Sequence, residues 1–223
     1  MSEYEKAKEA IHQAKRKAAR ENDGDGQARC ENELGTISWR QGEYDQAGEE
    51  HIAALSQLAI SGISNPKIEI EANYGLGLLY RQRGNYGEAQ NQFVKCLQLN
   101  QKINNRQFEA RILNALGVVE DLQRNFQSAI NYYEQALVIR EAIGDRAGVG
   151  ASMLNIAQSL GSMGLHDKAE GMLLNTIRLQ KSIGSIWWQA NTWNALGMLY
   201  LLVGNLQEAR ISLETGIKLS QQI

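Results

Sequence analysis

The sequence has few of the residues that interrupt or cross-link a chain. Its 223 residues include one proline, two cysteines and three histidines. A single proline and the lack of any low-complexity stretch argue against flexible linkers and disorder. Cys30 and Cys96 lie far apart, which matches neither a disulfide framework nor a zinc-ligand spacing. We therefore predict no metal, no cofactor and a reducing compartment.

Strong net charge and long apolar runs are also absent. The formal net charge is -2 at pH 7, and no apolar run is long enough to cross a bilayer. Residues 2–20 carry too many charges for the apolar part of a secretory signal. These absences exclude a membrane span and a nucleic-acid footprint for the chain as a whole, so we predict the cytoplasm as the compartment.

Catalytic patterns are missing as well. His12, His51 and His166 are dispersed, and no phosphate-binding loop, serine-nucleophile or HExxH pattern occurs. His51 holds a position that large apolar or aromatic residues occupy elsewhere in the chain, which indicates a packed histidine rather than a base. The acidic stretch at residues 22–26 lacks the glutamate that ends a calcium loop. We predict that the protein is not an enzyme.

What the sequence does contain is a regular repeat. Alanines return in steps of 42, 40, 40 and 40 residues, at Ala47, Ala89, Ala129, Ala169 and Ala209. A Leu-Gly pair precedes four of them, at Leu34-Gly35, Leu76-Gly77, Leu116-Gly117 and Leu196-Gly197. A fixed period of this length indicates stacked helical hairpins. Small residues let the paired helices approach closely, and large residues fill the remaining space.

The last repeat carries this pattern in its fullest form, at Trp193, Leu196, Gly197, Tyr200, Ala209 and Leu213. The pattern resembles the tetratricopeptide repeat (TPR). The resemblance implies an all-α fold: a right-handed α-α superhelix, or solenoid, of five helix-turn-helix repeats preceded by an N-terminal helix. The first helices of the repeats are expected to line its concave face.

The repeat also predicts the domain organisation. Residues 1–22 form an N-terminal capping helix, and residues 23–223 form the repeat array. The repeats are expected at about residues 27–62, 66–104, 106–144, 146–184 and 186–223. No capping helix follows the fifth repeat, so we expect a homo-oligomer through the C-terminal helix, a further domain, or a tolerated edge.

The 40-residue step points to a subset of the family. Second helices are expected to end at Gly or Asn rather than near a proline, and the run Ile143-Gly144-Asp145-Arg146-Ala147 resembles the Pins/Leu-Gly-Asn family of TPR adaptors. This resemblance implies that first-helix side chains hold an extended peptide, often through asparagines, since a carboxamide offers both a donor and an acceptor. We therefore expect a protein or an extended peptide as the partner.

Equivalent first-helix positions define the predicted binding face. They lie one helical turn apart and so share a side of the helix. The predicted partner-binding residues are Arg29, Asn32, Thr36, Tyr74, Leu78, Arg111, Asn114, Gln158, Asn191, Asn194 and Met198. Asparagines and arginines with apolar residues between them suit an extended acidic or mixed peptide.

Other interpretations remain open. The asparagines could instead brace neighbouring helices, which we favour for Asn32. Trp187 and Trp188 are adjacent and cannot both point inward, so one of them could be an exposed contact. Only Asn155 fits the carboxylate clamp of chaperone adaptors, so we expect no recognition of that kind. Besides an adaptor, the array could be a ligand-responsive sensor module or a self-assembling structural array.

Overall fold

The computed structural model describes residues 3–222, and this part of the chain forms eleven α-helices and no strand. The first five are α1 Glu3–Arg20, α2 Gly24–Gln41, α3 Tyr44–Ser61, α4 Pro66–Gln82 and α5 Tyr86–Ile103. The other six are α6 Arg106–Leu122, α7 Phe126–Ala142, α8 Arg146–Ser162, α9 His166–Ser182, α10 Ile186–Leu202 and α11 Leu206–Ser220. The predicted domain ends at residues 1 and 223 lie outside the described residues.

The helices after α1 pair into five hairpins, in which each first helix packs along the second helix that follows it. From the second hairpin onward the first helices begin at intervals of 40 residues, at Pro66, Arg106, Arg146 and Ile186. The predicted all-α fold, five hairpin repeats preceded by an N-terminal helix, is confirmed.

Contacts between helices divide the chain into two compact units, Met1–Asn105 and Arg106–Ile223. In the first unit, α1 packs against α2, and α4 packs against both helices of the first hairpin. In the second unit, α8 packs against α7, and α10 packs against both α8 and α9. Within a unit, the first helices of successive hairpins are therefore neighbours. The predicted division at residue 22 into a cap and an array remains a proposal.

Close helix packing occurs where the repeat places its glycines. A Cβ atom added at Gly77 would lie 2.6 Å from the Phe93 ring, and one added at Gly197 would lie 2.6 Å from Cγ of Leu213. Contacts this short do not occur between real atoms, so only glycine lets these rings and branched side chains reach the opposite helix. The periodic alanines of the second helices are 0% or 1% exposed, at Ala47, Ala89, Ala129, Ala169 and Ala209.

Local sequence signals determine where several helices begin. Asn65 caps α4 by accepting a hydrogen bond from the backbone N–H of Ile68 at 3.3 Å. Pro66 follows in the first turn, where a missing N–H leaves no bond unmade. Asp145 caps α8 in the same way and accepts from the backbone N–H of Gly148 at 2.9 Å. These caps mark the starts of the second and the fourth hairpin.

We predict opposite effects for two glycine-to-alanine substitutions in the second unit. Gly117→Ala places a Cβ 2.5 Å from Cε1 of Tyr133, so overpacking should destabilise the unit by about 1–3 kcal/mol. Gly171→Ala has nothing within 4 Å and should stabilise α9 by about 0.5–1 kcal/mol, because it removes the entropic cost of a helical glycine. Urea denaturation followed by circular dichroism measures both. Equal destabilisation by the two changes would contradict the packing argument.

Candidate functional site

A groove opens on the second unit between α8 and α10, the first helices of the last two hairpins. Its volume is about 890 Å³. Among the large apolar side chains that line it, Trp187, Met198 and Leu202 are the most exposed, at 54%, 61% and 65%. Exposed apolar side chains around a concavity of this size are characteristic of a binding site.

Four of the predicted binding residues line this groove: Gln158, Asn191, Asn194 and Met198. Asn191, Asn194 and Met198 follow a spacing of three and four residues on α10, so they form a single stripe along that helix. Gln158 faces them from α8. The structure therefore brings together the predicted residues of the last two repeats.

The groove contains three carboxamides, of which Gln158 is exposed and Asn191 and Asn194 are partly buried. Gln158, Asn191 and Asn194 make no side-chain hydrogen bond to any other residue within 3–222. Asn194 lies against the backbone of Gly216 on α11, where a Cβ atom would collide with its Oδ1. Their donors and acceptors are left for water or for a bound partner.

Asn32 occupies the position equivalent to Asn194 but has a different environment. It is 4% exposed, and its Oδ1 lies 2.9 Å from Nδ1 of His51. Its amide nitrogen donates to Glu71 at 3.1 Å, which links α2 to α4. Because Oδ1 can only accept, Nδ1 of His51 carries the proton. Asn32 is thus used within the first unit, as the bracing interpretation requires.

Asn114 is also used internally. Its Oδ1 accepts from the amide of Asn155 at 3.0 Å and from the guanidinium of Arg140 at 3.4 Å. Arg140 is 7% exposed and donates further to Oγ of Ser152 at 2.7 Å. This cluster holds α6, α7 and α8 together, so its polar atoms stabilise the fold rather than line the groove.

The remaining predicted residues lie on three other first helices. Arg29 and Thr36 are exposed on α2, and Arg29 pairs with Asp25 one turn away at 2.9 Å. Tyr74 and Leu78 are half-buried on α4, where the Tyr74 ring packs 5.4 Å from that of Phe93.

Arg111 is exposed on α6, with its guanidinium carbon 4.9 Å from the centre of the Phe108 ring. Like the residues on α2 and α4, it is not part of the groove. The role of these five residues in binding stays a prediction.

The groove also contains residues that the repeat pattern did not predict, among them Leu201 and Leu202. The equivalent residues of the second repeat are Arg81 and Gln82, so a comparison of the turns between repeats could have found them. The two adjacent tryptophans have different environments. Trp188 packs against the apolar core, whereas Trp187 is more exposed. The two rings are nearly perpendicular, and their centres lie 4.6 Å apart.

Two partly buried titratable groups act as structural hydrogen-bond partners. Tyr200 donates to Glu170 at 2.6 Å, and burial raises the pKa of Tyr200 to about 12. Burial also raises the pKa of Asp121, which accepts from Tyr133 at 2.8 Å and from Ser159 at 2.7 Å. These bonds connect neighbouring helices.

Metal chemistry and membrane insertion find no support in the described part of the chain. Residues 3–222 contain no group of three or more His, Cys, Asp or Glu side chains that could hold a metal ion. No helix within the same range is both long and apolar enough to cross a bilayer.

The comparison with known families agrees with the hairpin geometry. A family model described as "Tetratricopeptide repeat" matches residues 69–142 and 145–222. The chain belongs to the tetratricopeptide repeat family. TPR domains are in general interaction modules without catalytic activity. Membership of the 40-residue Pins/Leu-Gly-Asn-like subset stays a prediction. The comparison with curated proteins found no match.

Solved structures share the TPR fold at low sequence identity. BtubC from P. vanneervenii is 17% identical with a TM-score of 0.79, over 100% of this chain and 92% of that one. A signal transduction ATPase with a TPR sensor, from Pyrococcus horikoshii, is 16% identical with a TM-score of 0.75, over 89% of this chain and 31% of that one. YrrB, described as having an unusual peptide-binding site, is 19% identical with a TM-score of 0.57, over 92% of each chain. At these identities the likeness shows the fold alone.

The buried histidine predicts a measurable pH dependence of stability. His51 is 3% exposed, and burial lowers its pKa from 6.5 to about 4. Between pH 6.5 and 4 the unfolded chain therefore binds more protons than the folded one. The free energy of unfolding should fall as the pH falls through this window, by up to about 3 kcal/mol from this group.

Urea denaturation at several pH values measures this contribution. His51→Phe, which installs the residue that the second repeat has as Phe93, should flatten the slope between pH 4 and 6.5 relative to the parent chain. His12→Gln on the surface of α1 is the control and should leave the slope unchanged. A parent-like slope in His51→Phe would show that His51 titrates normally in the folded chain.

Proposed function

We propose that this TPR protein is a non-catalytic interaction scaffold that binds a peptide segment or a partner protein in the groove between α8 and α10. One observation carries the proposal: four of the predicted binding residues lie in a single groove beside exposed Trp187 and Leu202. The first helices of TPR hairpins supply this surface, and the rest of each hairpin serves to hold it in place.

The exposed side chains give the groove its binding energy in this proposal. Tryptophan and methionine offer large apolar areas, and tryptophan is enriched among the few residues that dominate interface energetics. Trp187 and Met198 are more than half exposed, so a partner can remove most of their surface from water. YrrB, which shares the fold, is described as a peptide-binding TPR protein and supports this type of ligand.

A ligand-responsive sensor is the second candidate function. The groove volume of about 890 Å³ falls within the range of sites for small molecules. The TPR part of the Pyrococcus horikoshii ATPase is described as a sensor. A small apolar molecule that raises the thermal stability of the chain and competes with peptide would favour this function over a scaffold.

Self-association is a further alternative. Leu206 and Ile217 on α11 are 69% and 56% exposed, so the last hairpin presents apolar surface of its own. A molar mass that rises with concentration in the absence of any partner would favour assembly. We keep the cytoplasm as the proposed compartment, since Cys30 and Cys96 are free thiols.

We predict that Trp187→Ala combined with Met198→Ala removes partner capture. Loss of two exposed apolar anchors should weaken binding at least tenfold, and stability should change little because both side chains are exposed. The measurement is affinity capture from the native lysate, with quantitative mass spectrometry of parent and variant and a parallel thermal melt.

A matched control comes from outside the groove. Val138→Ala with Ile211→Ala removes apolar side chains that are 62% and 48% exposed on α7 and α11. This control should capture the same partners as the parent chain. If the groove variant retains its partners while the control loses them, binding lies on the second-helix side and the proposed site is wrong.

A further inference from the structure

We infer that the groove between α8 and α10 selects an extended peptide segment without charged side chains. Apolar side chains of the segment pack on Trp187, Met198 and Leu202, and its backbone bonds to Gln158 and Asn191. This inference rests on the proposed function and adds the chemistry of the partner.

The charge of the groove is the first argument. Its fifteen lining residues include no Asp, Glu, Lys, Arg or His, although 22% of the chain is Asp, Glu, Lys or Arg. A charged side chain that enters such a surface loses its hydration and gains no counter-ion, which is unfavourable. An uncharged segment loses much less hydration free energy when it enters the groove, so the lining is complementary to neutral partners.

Other clefts of the chain show that this neutrality is local. A cleft beside α6 and α7 is lined by Arg106, Glu109 and Glu134. A cleft near the start of α2 is lined by charged residues that include Lys17, Asp23 and Arg29, and one at the start of α9 includes Asp167 and Lys168. The groove between α8 and α10 thus departs from the charged character of these surfaces.

The carboxamides argue for an extended backbone. Gln158 and Asn191 have no hydrogen-bond partner within residues 3–222, and each can pair with a peptide N–H and C=O together. A helical ligand has already paired its backbone groups and would leave these carboxamides desolvated without partners. In an extended segment the backbone N–H and C=O groups are free to bond with the carboxamides of the groove. Other modes of peptide recognition use main-chain hydrogen bonds in the same way.

This inference changes the expected ligand. The sequence predicted an acidic or mixed peptide because of the arginines at equivalent first-helix positions. Arg29 and Arg111 lie on α2 and α6, and neither lines the groove. The positive charge that would attract an acidic segment is absent from the lining.

A library of random twelve-residue peptides displayed on phage tests the inference against the full chain. Selection should enrich peptides with uncharged apolar residues at the central positions, and replacing one of these by Asp or Lys should weaken binding at least tenfold. Enrichment of charged central residues overturns the inference, as does failure to enrich any peptide.

Two variants test whether the preference for uncharged peptides arises in the groove. Met198→Glu places a carboxylate on the wall at a site that is 61% exposed, so the fold should persist while the selected neutral peptides bind at least tenfold more weakly. Val138→Glu, at a 62% exposed site on α7, is the matched control and should bind like the parent chain. Unchanged binding by Met198→Glu overturns the inference.

The extended conformation of the bound peptide is tested by a variant of Asn191 and by circular dichroism. Asn191→Leu keeps the side-chain size but removes the carboxamide, and should weaken the selected peptides about tenfold. Parent-like binding by Asn191→Leu overturns the assignment of backbone bonds. A gain of helical circular dichroism when the peptide binds overturns the extended conformation.

Failure of the inference can be told apart from failure of the proposed function. Charged peptides that bind the parent chain but not Trp187→Ala/Met198→Ala contradict the partner chemistry and leave the scaffold function intact. Lysate partners that survive the same double change contradict the site itself.

Discussion

Close approach of paired helices is the constraint on which the rest of the structure depends. A residue without a side chain on the first helix faces a large side chain on the second, as Gly77 faces Phe93 and Gly117 faces Tyr133. This contact brings the two helices close together in four of the five hairpins, and the fourth hairpin has the small Ala157 at the same place. Because it recurs at a constant interval, successive first helices lie side by side within a unit, and a groove between them is a consequence of the packing.

The fold was predictable because its signal is repeated. Five alanines, together with Leu-Gly pairs in four of the repeats, indicate the same geometry. The fourth repeat, which has Ala157 in place of the glycine, therefore does not weaken the conclusion. The site was only partly predictable, because the residues at equivalent positions and their surroundings differ from repeat to repeat. Position in the repeat predicts which side of a helix a residue occupies, but whether its polar atoms are free depends on the residue across the hairpin.

One pair of equivalent positions shows this dependence. In the first repeat His51 faces Asn32 and binds its carboxamide. In the second repeat the pair is Tyr74 and Phe93, which pack as two rings. In the fifth repeat Asn194 stands opposite Leu213, whose side chain has no polar atom to offer. The same asparagine is therefore structural in one hairpin and available for binding in another.

Local departures from the repeat thus distinguish the proposed binding groove from the rest of the second unit. The last first helix ends in Leu201 and Leu202 and is followed by Val203, where the second repeat has Arg81, Gln82 and Arg83. A change at this turn costs the hairpin little, because Leu202 and Val203 are 65% and 46% exposed and contribute little to its core. Packing holds the helices to a common pattern, whereas the exposed end of a hairpin is free to diverge. Hairpin packing does not require neutral apolar residues at such a place, next to unpaired carboxamides, whereas the proposed binding of a partner does.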